Sequence, residues 1–229
     1  MKSDARTHDT PKALSCKNYT GSRGGSRTSC RCFVFAGDAP AATKEIFSCP
    51  VSRRIVVAYW LIPAEPARSY FQSVINDLAE RYNAPEFEPH VTVHVGVEGT
   101  DTVDEMLSKA AQGCERIVLQ SLEVSGFSEF TKTLFVQFAV TTKLQRLNQS
   151  IRIATQNLSD YQLNPHLSLL YKTISTQDRQ LLTHSIDVPF PEVAFDSLKA
   201  VRCVSPTESR ADVEAWHVVA AKPLGSMGV

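Results

Sequence analysis

The sequence predicts an α+β, bilobal fold: two antiparallel-rich sheets facing across a central cleft, with helices on the outer faces. Two observations point to it. Pro89-His90-Val91-Thr92-Val93 returns later in the chain as Pro165-His166-Leu167-Ser168-Leu169. Around each copy the apolar pattern runs strand, helix, His strand, helix, strand, and one further strand closes the second half.

The elements follow in order. Ile55-Val56-Val57-Ala58-Tyr59-Trp60-Leu61 is a β-rich run that Pro63 should end. Phe71, Val74, Ile75, Leu78 and Tyr82 recur at helical spacing, so residues 66–83 should form an amphipathic helix. Pro85 and Pro89 bracket a loop feeding the first His strand, 90–97. Thr102 and Glu105 have the spacing of a capping box for a helix over 102–112. Strands are expected near 116–124 and 133–140, with Gly126 and Ser128 turning between them. Leu144, Leu147, Ile151, Ala154 and Leu158 mark a second long helix, and Asn164-Pro165 leads into the second His strand, 166–172. Thr176 starts a short helix; strands near 194–204 and 214–221 finish the chain.

Composition separates two regions. Residues 1–52 are rich in Arg, Lys, Ser, Thr and Gly, as in Gly21-Ser22-Arg23-Gly24-Gly25-Ser26-Arg27. Such a stretch buries too little apolar surface to offset its ordering entropy and is expected to be disordered. The folded domain should span 53–225, and the chain's 43% hydrophobic content is enough for a core. Residues 1–54 hold ten Lys or Arg against four Asp or Glu, so a formal net charge of zero leaves the remainder at −6. An acidic body lacks the basic stripe of a duplex nucleic-acid binder. No apolar run is long enough to span a membrane, and no secretory signal is visible. A cytoplasmic location is expected. A basic, Ser-rich leader resembles an organelle transit peptide, and Asp4 and Asp9 count against that reading. The six cysteines lack paired spacing, which argues against a zinc site; Cys114 and Cys203 read as ordinary buried thiols.

The chemistry lies in the repeat. Alternation on a strand puts each His and the hydroxyl two residues on along one face, with the aliphatic residues turned to the core. Either histidine alone reads as a structural strand residue. Together, each with a preceding Pro and a hydroxyl at +2, they describe a phosphate held between a proton donor and a proton acceptor. Imidazole titrates near neutrality, so one can take a proton from water while the other protonates the leaving oxygen. Thr92 and Ser168 would donate hydrogen bonds to the non-bridging oxygens. No metal and no cofactor is needed. His94 shares the His90 and Thr92 face by parity, which raises a His90/His94 metal pair, but no third ligand is near and the second motif has Leu170 there. His94 is therefore expected at the cleft margin, with His184 and His217 structural.

These motifs resemble the two-histidine (2H) phosphoesterases, and within them the cyclic phosphodiesterase branch of plants and yeast. The resemblance rests on Tyr59-Trp60-Leu61-Ile62-Pro63, Phe87-Glu88-Pro89-His90-Val91-Thr92-Val93, Thr131-Lys132-Thr133-Leu134-Phe135-Val136-Gln137 and Pro165-His166-Leu167-Ser168-Leu169-Leu170-Tyr171, and spans about residues 53–223. It implies His90 and His166 as the acid/base pair and Thr92 and Ser168 as phosphate ligands. It further implies Tyr171 as a substrate contact and Trp60 at the cleft wall, where it would stack on a base. The implied reaction opens ADP-ribose 1″,2″-cyclic phosphate, or nucleoside 2′,3′-cyclic phosphates to 2′-phosphates. The expected partner is a small cyclic phosphate, with RNA 3′ ends as a further class, and the expected state is a monomer. The competing readings are an RNA 2′,5′-ligase-like or 3′-end-trimming enzyme, and a non-catalytic binder of cyclic-phosphate ends.

Overall fold

The computed structural model describes residues 53–96, 102–155 and 159–225. The extension 1–52, the end of the first His strand at residue 97 and the helix end expected at Leu158 lie outside the described residues.

Strand β1 (Arg54–Pro63) leads into α1 (Ala67–Tyr82) and then β2 (Val91–Gly96), the first His strand. Helix α2 (Val103–Ala111) precedes β3 (Ile117–Ser125), a short 3-10 turn (Phe130–Lys132) and β4 (Leu134–Phe138). Helix α3 (Thr142–Ala154) returns the chain to β5 (His166–Leu170), the second His strand. Then come α4 (Thr176–Ser185), β6 (Glu192–Ser205), α5 (Arg210–Glu214) and β7 (His217–Pro223).

All strand pairs are antiparallel, in the order β1-β2-β5-β4-β3-β6-β7, and β1 also pairs with β6. The circuit therefore closes on itself as two lobes, β2-β1-β6-β7 and β5-β4-β3. They are joined at two places. The start of β6 pairs with β3 through Glu192–Phe195, and β2 meets β5 through one residue pair, Val91 with Leu167.

The main core lies between the sheet and the helices. Tyr59 and Leu61 of β1 meet Phe71, Ile75 and Leu78 of α1, and Leu144, Leu147 and Ile151 of α3 join them. The helical spacing read from the sequence is the spacing of these buried residues. Each such side chain contributes about 1.5–3 kcal/mol by leaving water. On the other face of β1, Ala58, Trp60 and Ile62 form a smaller cluster with Val201 of β6. Alternation along one strand thus supplies both the core and the cleft wall.

Three details differ from expectation. Thr102 makes no side-chain cap; the acidic first turn, Asp104 and Glu105, complements the α2 dipole instead, and Asp104 pairs with Lys222 at 2.9 Å. The last strand starts at His217 because Ser209 and Asp212 form a capping box that turns Arg210–Glu214 into a helix too short for periodicity to reveal. β1 includes Pro63, which sits at the strand's end where a missing N–H is tolerated. Cys114 and Cys203 are free thiols. Among the described residues no helix is long and apolar enough to cross a membrane.

Candidate active site

The single pair between β2 and β5 organises the site. Val91 and Leu167, both fully buried in the main core, each follow a motif histidine. Antiparallel register then sets His90 opposite Ser168 and Thr92 opposite His166, on the face turned away from the core. Each imidazole is thereby matched with the hydroxyl of the other motif. Among the described residues the β2–β5 ladder consists of this one rung.

The two histidines are held by the same local device. His90 Nδ1 lies 2.7 Å from the carbonyl oxygen of Glu88, and His166 Nδ1 lies 2.8 Å from that of Asn164. A carbonyl only accepts, so Nδ1 carries the hydrogen and the neutral ring presents a lone pair at Nε2. The intervening residue is Pro in both motifs. Its fixed φ, and its bias of the preceding residue toward extended backbone, hold that carbonyl beneath the ring. This is the physical role of the motif's proline.

Their environments differ. His90 is 5% exposed. It stacks on Trp60 with ring centroids 3.7 Å apart and 13° between planes, and it meets Trp216 and Phe87 edge-on at 5.8 and 6.2 Å. Burial drives its pKa down to about 4; the hydrogen bond to Glu88 opposes this, and the nearby His166 adds to it. His166 is less enclosed and touches the edge of Phe135 at 5.2 Å. Its pKa is also lowered, by burial first, with Asn164 opposing and the charge of Lys132 assisting. Burial thus disfavours the charged form of both imidazoles.

The hydroxyls differ as well. Thr92 is partly exposed, and its hydroxyl makes no hydrogen bond among the described residues. Ser168 is buried and donates to the carbonyl of Thr131 at 2.9 Å. Thr131 belongs to the 3-10 turn between β3 and β4, a placement that depends on Gly126. A Cβ at Gly126 would lie 2.3 Å from the backbone oxygen of Thr133.

Tyr171 and Trp60 sit deeper than expected. Tyr171 is 5% exposed, stacked on Phe87 at 4.2 Å and edge-on to Trp216 at 5.5 Å. Burial pushes its hydroxyl up to about 12, with a hydrogen bond to Ser168 opposing. Trp60 is 4% exposed. One of its faces is taken by His90, so it backs the imidazole rather than offering an open surface for a base. Sequence reasoning missed Trp216 altogether. This ring touches Trp60, Phe87, His90 and Tyr171 and completes the aromatic wall. Its position in the connection from α5 to β7 carries no periodic signal.

His94 is a correction. Tyr59 pairs with His94 and Trp60 with Thr92, so Val93 is an extra residue, a bulge that breaks the alternation. His94 therefore turns to the Tyr59 side, between Tyr59 and Tyr161, and is 1% exposed. It lies in the core, away from the cleft margin, and cannot share a ligand with His90. Among the described residues neither of its ring nitrogens has a hydrogen-bond partner, and burial lowers its pKa. Among the described residues no group of three or more His, Cys, Asp or Glu is arranged to hold a metal ion. His184 and His217 are exposed on α4 and β7, outside the site.

With this geometry in view, similarity to known proteins is informative. Residues 55–224 match the family model of cyclic phosphodiesterase-like proteins. The cyclic phosphodiesterase of Arabidopsis thaliana is 24% identical over 172 residues, covering 73% of this chain and 94% of that protein. A solved protein of Thermus thermophilus shares the fold at 14% identity with a TM-score of 0.50, covering 76% of this chain and 100% of that one. Escherichia coli LigT, solved with 3′-AMP, has a TM-score of 0.47 at 10% identity over 74% of this chain and 98% of its own. The family match spans most of the chain and contains both histidine motifs, and so this chain belongs to the cyclic phosphodiesterase-like family of 2H phosphoesterases.

Proposed function

We propose that residues 53–225 form a phosphodiesterase that opens cyclic phosphates by two-histidine acid/base catalysis, acting as a monomer without metal or cofactor. The substrates that suit the site are ADP-ribose 1″,2″-cyclic phosphate and nucleoside 2′,3′-cyclic phosphates, the latter giving 2′-phosphates. The observation that carries this reading is the Val91–Leu167 pair, whose antiparallel register sets each imidazole across from the other motif's hydroxyl, while the Nδ1–carbonyl contacts leave both Nε2 atoms without a hydrogen bond among the described residues.

The reaction balances as follows. Neutral Nε2 of one histidine takes a proton from water while the water oxygen forms a bond to phosphorus. The P–O bond to one ring oxygen breaks, and Nε2–H of the other histidine protonates that oxygen. The phosphate anion supplies the charge that keeps this second imidazole protonated despite its lowered pKa. Thr92 donates to one non-bridging oxygen. Ser168 donates to another by rotating its hydroxyl away from Thr131, so charge growing in the transition state meets fixed dipoles.

The test is turnover of ADP-ribose 1″,2″-cyclic phosphate set beside a nucleoside 2′,3′-cyclic phosphate and a cyclic-phosphate-ended oligoribonucleotide. Ring opening of the small substrates supports the proposal. Action confined to the oligonucleotide gives the RNA-processing reading instead. Binding of all three without any product makes the protein a recogniser of cyclic phosphate ends.

A further inference from the structure

Each catalytic histidine leans on the carbonyl of the residue two before it, and in both motifs that residue is itself clamped. The Glu88 carboxylate receives Lys199 Nζ at 2.7 and 2.6 Å and Arg68 at 2.6 Å. Lys199 belongs to β6, is 19% exposed, and lies directly across from Trp60, the ring on which His90 stacks. In the second motif the Asn164 side-chain oxygen receives Gln137 Nε2 at 3.0 Å, and the same nitrogen lies 2.8 Å from the Pro165 carbonyl. Gln137 belongs to β4 and lies directly across from His166.

The arrangement is repeated by different chemistry. An ion pair fixes residue 88 and an amide pair fixes residue 164. Pro89 and Pro165 remove one backbone freedom after each carbonyl; the side-chain clamp removes much of what remains. From this we infer that Lys199 and Gln137 are positioning residues for the proposed reaction: each fixes the carbonyl that sets the tautomer and direction of one imidazole, Lys199 for His90 and Gln137 for His166. The inference deepens the acid/base reading and rests on it. Because the clamps lie on different strands and different lobes, it requires that they be separable.

The charged groups around each ring are few. His90 faces the Glu88 carboxylate, with Lys199 and Arg68 behind it, and His166 across the site; Trp60, Phe87 and Trp216 are uncharged. His166 faces Lys132 and Glu129. Loss of Lys199 would leave the Glu88 charge less neutralised, so the proton affinity of His90 should rise.

The experiment uses the full chain labelled with 15N at histidine, reading the imidazole tautomers by long-range proton–nitrogen correlation beside steady-state kinetics. In the parent both His90 and His166 should carry hydrogen at Nδ1. Lys199→Met should give His90 a mixture of tautomers, leave His166 unchanged, and lower kcat on the order of ten-fold with KM nearly held, the loss expected of a misdirected catalytic group. The limb of its pH profile that reports His90 should move upward. Gln137→Leu should do the converse for His166. Lys199→Arg, which keeps the ion pair, should restore the His90 tautomer and most of kcat. Tautomers unchanged in both Lys199→Met and Gln137→Leu, or both histidines disturbed by each substitution, would overturn the inference. If the parent turns over no cyclic phosphate, the functional reading fails, and the tautomer spectra still decide whether the clamps position the rings.

Discussion

The burial of His90 makes stability depend on pH in a defined way. Folding lowers its pKa from the ordinary 6.5 to about 4, chiefly because the charged form would lose its hydration against Trp60, Phe87 and Trp216. The unfolded chain then binds more protons than the folded one between these values. Stability at this residue is complete above pH 6.5 and is lost as pH falls toward 4. The full shift corresponds to about 3 kcal/mol, of which about 2 kcal/mol has gone by pH 5. The perturbation is His90→Gln, and the assay is urea unfolding of parent and variant at pH 7.5 and pH 5.0. His94 and His166 also have lowered values and contribute in the same sense to both proteins. The difference of differences therefore isolates His90. The parent should lose about 2 kcal/mol more than the variant on acidification. Equal losses in the two would refute the assignment of His90 as a buried, neutral imidazole.

Three further outcomes are expected. His94→Leu should raise unfolding free energy by roughly 1 kcal/mol, because it removes two buried ring nitrogens without partners, and should leave turnover within a few-fold of the parent; urea unfolding and kinetics check both. Gly126→Ala should cost on the order of 2 kcal/mol of stability, since the new methyl meets the Thr133 backbone oxygen, which cannot swing aside as the neighbouring Arg179 side chain can, and should lower kcat by shifting the Thr131 carbonyl from Ser168. Prolonged dialysis against EDTA should leave activity unchanged in the proposed scheme; loss with recovery on added Zn²⁺ or Mn²⁺ would contradict it.

Much of this was legible in the sequence because it depends on periodicity. Phe71, Ile75 and Leu78 pointed to α1, and the doubled Pro-His-aliphatic-hydroxyl pattern pointed to two strands with one functional face each. What resisted was non-periodic or two-body. The bulge at Val93 inverts His94, and no residue type there announces it. Trp216 reaches the aromatic wall from a connection with no pattern of its own. The crossed register needs the Val91–Leu167 pair, a contact between residues far apart in the chain. The clamps by Lys199 and Gln137 join strands whose order in the sheet a single sequence does not state.

The central claim is that His90 and His166 act as one acid/base unit on a cyclic phosphate. A double-mutant cycle on kcat with ADP-ribose 1″,2″-cyclic phosphate tests it most directly, using His90→Ala, His166→Ala and the pair together. Each single change should lower kcat by on the order of 10²–10⁴-fold, the usual worth of a positioned acid or base, and the double variant should lose far less than the product of the two. If either single change leaves kcat within a few-fold of the parent, or if the two losses simply multiply, the histidines do not work as the pair described.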